Sequence, residues 1–296
     1  MDRTKILRGL ILLIVLTGCS ANGKKKAIRV GSKNFTEQVV LGEIIAQHLQ
    51  NRLPNLSIER RLNLGGTLLA HQALRSGELD LYPEYTGTAL AAVLKAPLET
   101  DPAQVLAHVR AQYQQQFQVD WLDPLGIDDT FAMVVSGKRA RTESLTSLTD
   151  AIKSPAGWIL GEGYEFAQRT DGLAALNRVY HLRWTAPAKT MDLGLLYQAL
   201  EQGQVTMAAA NSTDGMLAKL DVKVLTDDRH AFPPYQLCIA AREDTMRDIP
   251  GVREVLAELS GKFTNRIMQD LNYQVDALHR PVAEVAAGFL KQARLK

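Results

Sequence analysis

Ala27-Ile28-Arg29-Val30-Gly31-Ser32-Lys33-Asn34-Phe35-Thr36-Glu37-Gln38 reads as a strand that runs into a helix. Residues 27–31 look like a first strand. Residues 33–37 then lead into a segment with Val40, Ile44 and Leu49 roughly on one helical face. The same alternation continues downstream. Leu56 to Leu64 reads as a second strand, Gly65-Gly66-Thr67 breaks it, and Leu68 to Arg75 reads as a helix. Leu79 to Tyr82 is a third short strand, and Pro102 to Phe117 a glutamine-rich surface helix. Strand and helix in regular turn predict an α/β fold.

A second region opens at Phe131 to Ser136, a predicted strand. Strands are expected at Trp158 to Leu160, Val205 to Ala210 and Val222 to Leu225. Helices are expected at Ser147 to Ile152, Asp171 to Tyr180, Leu193 to Gln202, Ile249 to Lys262 and Val282 to Lys296. Nothing marks a domain linker, so two α/β lobes would be joined by a chain that crosses twice. No internal repeat or low-complexity block interrupts the pattern.

The amino terminus reads differently. Arg3, Lys5 and Arg8 precede an apolar run, Gly9 to Leu16, that is too short for a stable transmembrane span. It ends at Leu16-Thr17-Gly18-Cys19, the form of a lipoprotein signal-peptidase site. Residues 1–18 are therefore expected to be removed, Cys19 to carry lipid, and residues 19–26 to form a flexible tether. The chain would then sit outside the cytoplasm, anchored to a bacterial membrane. Without residues 1–18, 31 basic and 31 acidic residues remain, so global charge gives no reason to expect nucleic acid. Cys238, in an apolar run, would be the one remaining thiol and a small core residue.

Catalytic signatures are absent. There is no GxxxxGK[ST] loop, no HExxH and no GxSxG elbow, and Gly161-Glu162-Gly163 lacks the third glycine of a dinucleotide motif. Asp128-Asp129 and Asp227-Asp228 read as solvated turns or helix caps. No enzyme activity, cofactor or metal site is expected.

Several long segments remain. They are Gly31 to Gln38, Glu78 to Thr88, Glu165 to Gly172, Ser212-Thr213-Asp214-Gly215, and Asp227 to Tyr235. In this order they resemble the osmoprotectant-binding family of ABC importers, whose members bind glycine betaine, choline, carnitine and related solutes. The resemblance runs from about Ile28 to the end of the chain. It implies a two-lobed, type II periplasmic-binding-protein-like fold with the ligand cleft between the lobes, closing by a hinge. Lobe I would comprise residues 27–128 plus 231–296, and lobe II residues 129–230. The protein is expected to act as a monomer that presents ligand to membrane permease subunits driven by a separate ATPase.

The resemblance also assigns roles. Lys33, Thr88 and Arg169 match carboxylate-binding positions, and Tyr85 and Tyr235 match tyrosines of an aromatic cage. Asp129 matches an acidic position beside that cage. Phe131 stands where some members have tyrosine, and Asn211 where another cage tyrosine is found, with Tyr197 as a candidate replacement. A trimethylammonium group has no N–H, so ring faces attract it where hydrogen bonds cannot. The expected ligand is glycine betaine. The alternatives are choline, carnitine or ergothioneine on the same fold, a sensory receptor, or an enzyme built on two lobes. Structural readings stand beside these roles: Lys33 as a solvated lysine, Arg169 paired with Glu165 at i, i+4, Phe131 as core, and Glu84 and Thr86 as turn supports.

Overall fold

The computed structural model describes residues 27–295. The expected signal segment, Cys19 and the tether lie outside the described residues. Two five-stranded mixed sheets carry the fold, in the orders β2-β1-β3-β10-β4 and β7-β6-β8-β5-β9. The first sheet is built from β1 (Ala27–Gly31), β2 (Ser57–Arg61), β3 (Leu81–Tyr85), β4 (Val119–Trp121) and β10 (Leu237–Arg242). The second uses β5 (Phe131–Ser136), β6 (Leu160–Glu162), β7 (Lys189–Thr190), β8 (Met207–Asn211) and β9 (Val222–Leu225).

In the first sheet β1 is parallel to β2 and β3, with Ile28 opposite Ile58 and Val30 opposite Leu81. Helix α1 (Thr36–Arg52) follows β1 and buries Val40, Ile44 and Leu49, the face the sequence marked. Helix α2 (Thr67–Ser76) begins after Gly66 and ends at Gly77, whose φ of 77° is the left-handed stop that glycine tolerates best. The 102–117 helix forms as expected, started by Asp101, whose side chain accepts from the Gln104 N–H.

Several elements depart from the sequence reading. Leu237–Arg242 is a strand, antiparallel to β3 and β4 with Leu237 opposite Tyr85. Its run is apolar on both faces, because both are covered, so it lacks the alternation that signals a strand. Helix Asn265–Asp276 was not expected, although Ile267, Met268, Leu271 and Val275 recur at helical spacing among its polar residues. The 249–262 helix is shortened to Val252–Ala257, since Pro250 and left-handed Gly251 break the segment. Strand β6 starts two residues late: Trp158 is tied by its indole N–H to the Ala151 carbonyl at 2.9 Å, at the end of the preceding helix.

The two connections between the sheets run side by side. Asp128 and Gln236 form an antiparallel bridge, and the Asp129 N–H donates to the Tyr235 carbonyl at 3.1 Å. One apolar cluster passes from Ile28 and Val30 in the first sheet through Phe232 and Tyr235 to Met133 and Trp158 in the second. The lobes therefore share a core beside the crossing strands. They also touch at Gly215, where a Cβ would lie 2.4 Å from the Tyr273 backbone nitrogen of helix Asn265–Asp276. Only glycine permits that approach. Asn272 on this helix donates to the Thr213 carbonyl at 3.0 Å.

Candidate functional site

Between the lobes lies a cleft of about 1130 Å³, lined from both sheets. All eight residues singled out for ligand contact line it: Lys33, Tyr85, Thr88, Asp129, Phe131, Arg169, Asn211 and Tyr235. Segments far apart in sequence meet there because β1, β3 and β8 end, and β5 begins, at this gap.

Lys33 is not a solvated lysine. It is 2% exposed and pairs with fully buried Glu84 at 2.7 Å. Glu84 also accepts from the Tyr85 N–H at 2.7 Å and the Tyr82 hydroxyl at 3.1 Å, so it does more than support a turn. The lysine Nζ lies 4.7 Å from the Tyr85 ring centroid and 3.5 Å from the Thr67 hydroxyl.

Arg169 comes from the other lobe and also arrives with a partner. Its Nε and Nη2 donate to the two oxygens of Asp171 at 2.9 and 2.5 Å, a bidentate grip. The expected i, i+4 pair with Glu165 exists but is longer, at 3.5 Å. Burial works against the guanidinium charge, yet the Asp171 carboxylate outweighs it and holds the group protonated. The Tyr235 hydroxyl donates to the same Asp171 at 2.7 Å, tying the crossing strand to lobe II.

Glu165 instead turns across the cleft. It accepts from the Thr67 N–H at 2.5 Å and the Thr67 hydroxyl at 3.0 Å, at the first residue of α2. Desolvation opposes its charge, but Lys33, the Thr67 N–H and Arg169 hold its carboxyl below the ordinary range.

The rings fall into two groups. Phe131 packs edge-on against Tyr235 at 5.5 Å and against Phe166 at 4.8 Å, and the Arg169 guanidinium lies 5.1 Å from the Phe131 centroid. Tyr85 stacks with Phe35 at 6.4 Å, and its hydroxyl donates to Glu37 at 2.7 Å. Phe131 is only partly buried, so it is cleft wall as well as core. Thr88 is buried and lines the same cleft. Asn211 sits opposite Phe131 in the β5–β8 register.

A set of acids completes the site. Asp129 accepts from the Ser212 hydroxyl and the Thr213 N–H, both at 3.2 Å. Asp214 accepts from the Tyr197 hydroxyl at 2.9 Å and the Asn211 N–H at 3.2 Å, which places Tyr197 in the cleft wall. Glu37 takes a second donor, Asn272, at 3.3 Å. Desolvation, then the neighbouring charges of Glu37 and Asp214, push Asp129 well above the usual carboxylate range. Desolvation likewise raises Asp214 to about 7, and it raises Glu37 against the hydrogen bonds it accepts.

Sequence reasoning passed over Glu37, Glu165, Asp171 and Asp214 as site residues, although all four lie inside the quoted motifs. Acids concentrated in otherwise hydroxyl-rich turns were the available signal. Asn272 had none, since its helix was not expected. Among the described residues, no group of His, Cys, Asp and Glu has the arrangement of a metal site.

Comparison with known proteins adds an independent line. A family model described as the substrate-binding domain of ABC-type glycine betaine transport systems matches residues 26–292. The chain is 32% identical over 273 residues to the ergothioneine transport permease/ergothioneine binding protein of Helicobacter pylori (strain G27). That match covers 92% of this chain and 48% of the relative, so the chain spans about half that relative's length. It is 30% identical over 285 residues to the carnitine transport binding protein of Listeria monocytogenes serotype 1/2a (strain 10403S), covering 94% of this chain and 92% of the relative. A crystal structure of a glycine betaine/carnitine/choline ABC transporter superposes with a TM-score of 0.78 at 27% identity, covering 90% of this chain and 99% of the other. The fold is thus the two-lobed one of periplasmic binding proteins.

Proposed function

The chain belongs to the family of substrate-binding domains of ABC-type glycine betaine transport systems, and we propose from that premise that its cleft captures a small quaternary-ammonium solute for import. One observation carries this reading: the Tyr85, Phe131 and Tyr235 rings line the same cleft as the acids Glu37, Asp129 and Asp214. Ring faces attract a methylated ammonium by about 0.5–2 kcal/mol each, and carboxylates add longer-range potential. Thr88 and Asn211 would shape the remaining wall.

Glycine betaine, carnitine, choline and ergothioneine are the candidate ligands. Two relatives and a solved structure that between them bear the names of all four support the class. A carboxylated ligand would direct its anionic end to Lys33, Thr88 and Arg169. The loaded protein would dock on membrane permease subunits whose separate ATPase drives transport, and it would act as a monomer tethered by lipid at Cys19. No helix among the described residues is long and apolar enough to cross a membrane.

Thermal shift of the purified chain against these four solutes tests the reading, because a ligand that binds only the folded form must raise apparent stability. Stabilisation by at least one of them is expected. No response to any, with full response to an amino acid or sugar, would sink the proposal. For the anchor, Cys19→Ser should abolish membrane retention or leave the precursor uncleaved; unchanged retention would exclude lipidation there.

A further inference from the structure

The cleft is lined by seven acidic side chains and two basic ones. Both cations are internally matched: Lys33 by Glu84, and Arg169 by Asp171. The place best suited to a ligand carboxylate is the start of α2, where backbone N–H groups and the nearby Lys33 ammonium create positive potential. Glu165 already fills it from the opposite lobe, with one oxygen on the Thr67 N–H and the other on its hydroxyl. Gly66 leaves room for that carboxylate: a Cβ there would stand 2.6 Å from the Glu165 oxygen.

The opposite character prevails deeper in the cleft. Glu37, Asp129 and Asp214 come from three separate segments, and no basic side chain makes an ion pair with any of them among the described residues. Asn272, which is 3% exposed, spends its amide N–H on Glu37 and Thr213 and leaves its carbonyl oxygen without a hydrogen-bond partner. Bringing such acids together out of water is costly, and a bound positive charge relieves that cost.

We propose that Glu165 sets the charge specificity of this cleft: by occupying the anion-binding start of α2 from across the gap, it makes a net cation, rather than a zwitterion, the preferred ligand. The inference rests on the quaternary-ammonium reading only for the cation's head group. Its charge follows from Glu165, Glu37, Asp129 and Asp214. A zwitterion such as glycine betaine must draw Lys33 or Arg169 from its internal partner, displace Glu165 to reach α2, or leave its carboxylate among acids.

Calorimetry with choline and glycine betaine isolates the effect, since both carry the same trimethylammonium group and differ in the carboxylate. The wild-type chain should bind choline about tenfold or more tighter, equivalent to about 1.4 kcal/mol. Glu165→Ala vacates the subsite and should move the choline-to-betaine ratio about tenfold toward betaine. Using the ratio cancels any general loss of lobe closure. Asp129→Asn should weaken choline and spare betaine. Equal or tighter betaine binding by the wild type, or a ratio unmoved by Glu165→Ala, overturns the proposal. Agmatine, putrescine, proline and γ-aminobutyrate complete the panel. Binding of the N–H cations alone would sustain the charge rule while ending the quaternary-ammonium reading. Preference for a zwitterion would end the charge rule, and silence from every cation would end both.

Discussion

Phe131 and Asn211 are direct register partners across the antiparallel pair β5–β8. Side chains opposed in this way stand about 4.5–5.5 Å apart at Cβ. The aromatic wall therefore ends abruptly: a ring on one strand faces an amide on the next, and both line the cleft.

Restoring a ring at that position should narrow the site. Asn211→Tyr is expected to tighten a small quaternary ammonium such as choline by about 0.5–1 kcal/mol. It should weaken the larger ergothioneine. Paired titrations of the two proteins check this; tighter binding of both ligands would show that residue 211 does not limit the cleft.

The tyrosine hydroxyls carry more than ring faces require. Tyr235 donates to buried Asp171, so Tyr235→Phe removes a hydrogen bond to a charged group, worth about 1.5–3 kcal/mol. Urea denaturation without ligand should show the loss. A variant as stable as wild type would mean that Tyr235 serves through its ring alone.

Lys33 and Glu84 form a buried pair, and removing one partner strands the other. Lys33→Met should cost about 3–5 kcal/mol of ligand-free stability, and Glu84→Gln added to it should restore much of this. Unchanged stability in the single variant would assign Lys33 to the ligand only.

Asp214 supplies a pH signature. Its folded value of about 7 lies above the ordinary 3.8, so the fold favours the protonated form. That contribution is full below about pH 4 and is lost as pH rises through 7. The melting temperature of wild type relative to Asp214→Asn, which cannot ionise, should therefore fall between pH 5 and 8 by at least about 2 °C. Choline should reverse part of this loss, more at pH 8 than at pH 5. A constant difference across the range would mean that Asp214 does not titrate there.

Gly215 tests the contact between lobes. Its substitution by alanine drives a Cβ into the Tyr273 backbone, which cannot swing aside as a side chain can. A cost of about 1–3 kcal/mol is expected, together with weaker ligand binding. Gly288→Ala is the control, since a Cβ there meets nothing within 4 Å. Equal behaviour of the two variants would show that the lobes part freely at this point.

The sequence by itself determined the α/β class and most strands and helices, and its resemblance to a known family named eight of the residues that line the cleft. Those properties live in local periodicity and in short ordered motifs such as Gly31 to Gln38, which a chain displays before it folds. Strand β10 and helix Asn265–Asp276 were missed for different reasons. The strand is apolar on both faces and so lacks alternation, whereas the helix does carry an apolar stripe, Ile267, Leu271 and Val275, at helical spacing within a mostly polar segment. Tertiary structure alone decided the partnerships: Lys33 with Glu84, Arg169 and Tyr235 with Asp171, and Glu165 with the start of α2. These pairs span as many as 98 residues. Whether a buried charge is free for a ligand or already matched depends on which groups share its low-dielectric surroundings, and only the packed chain fixes those neighbours.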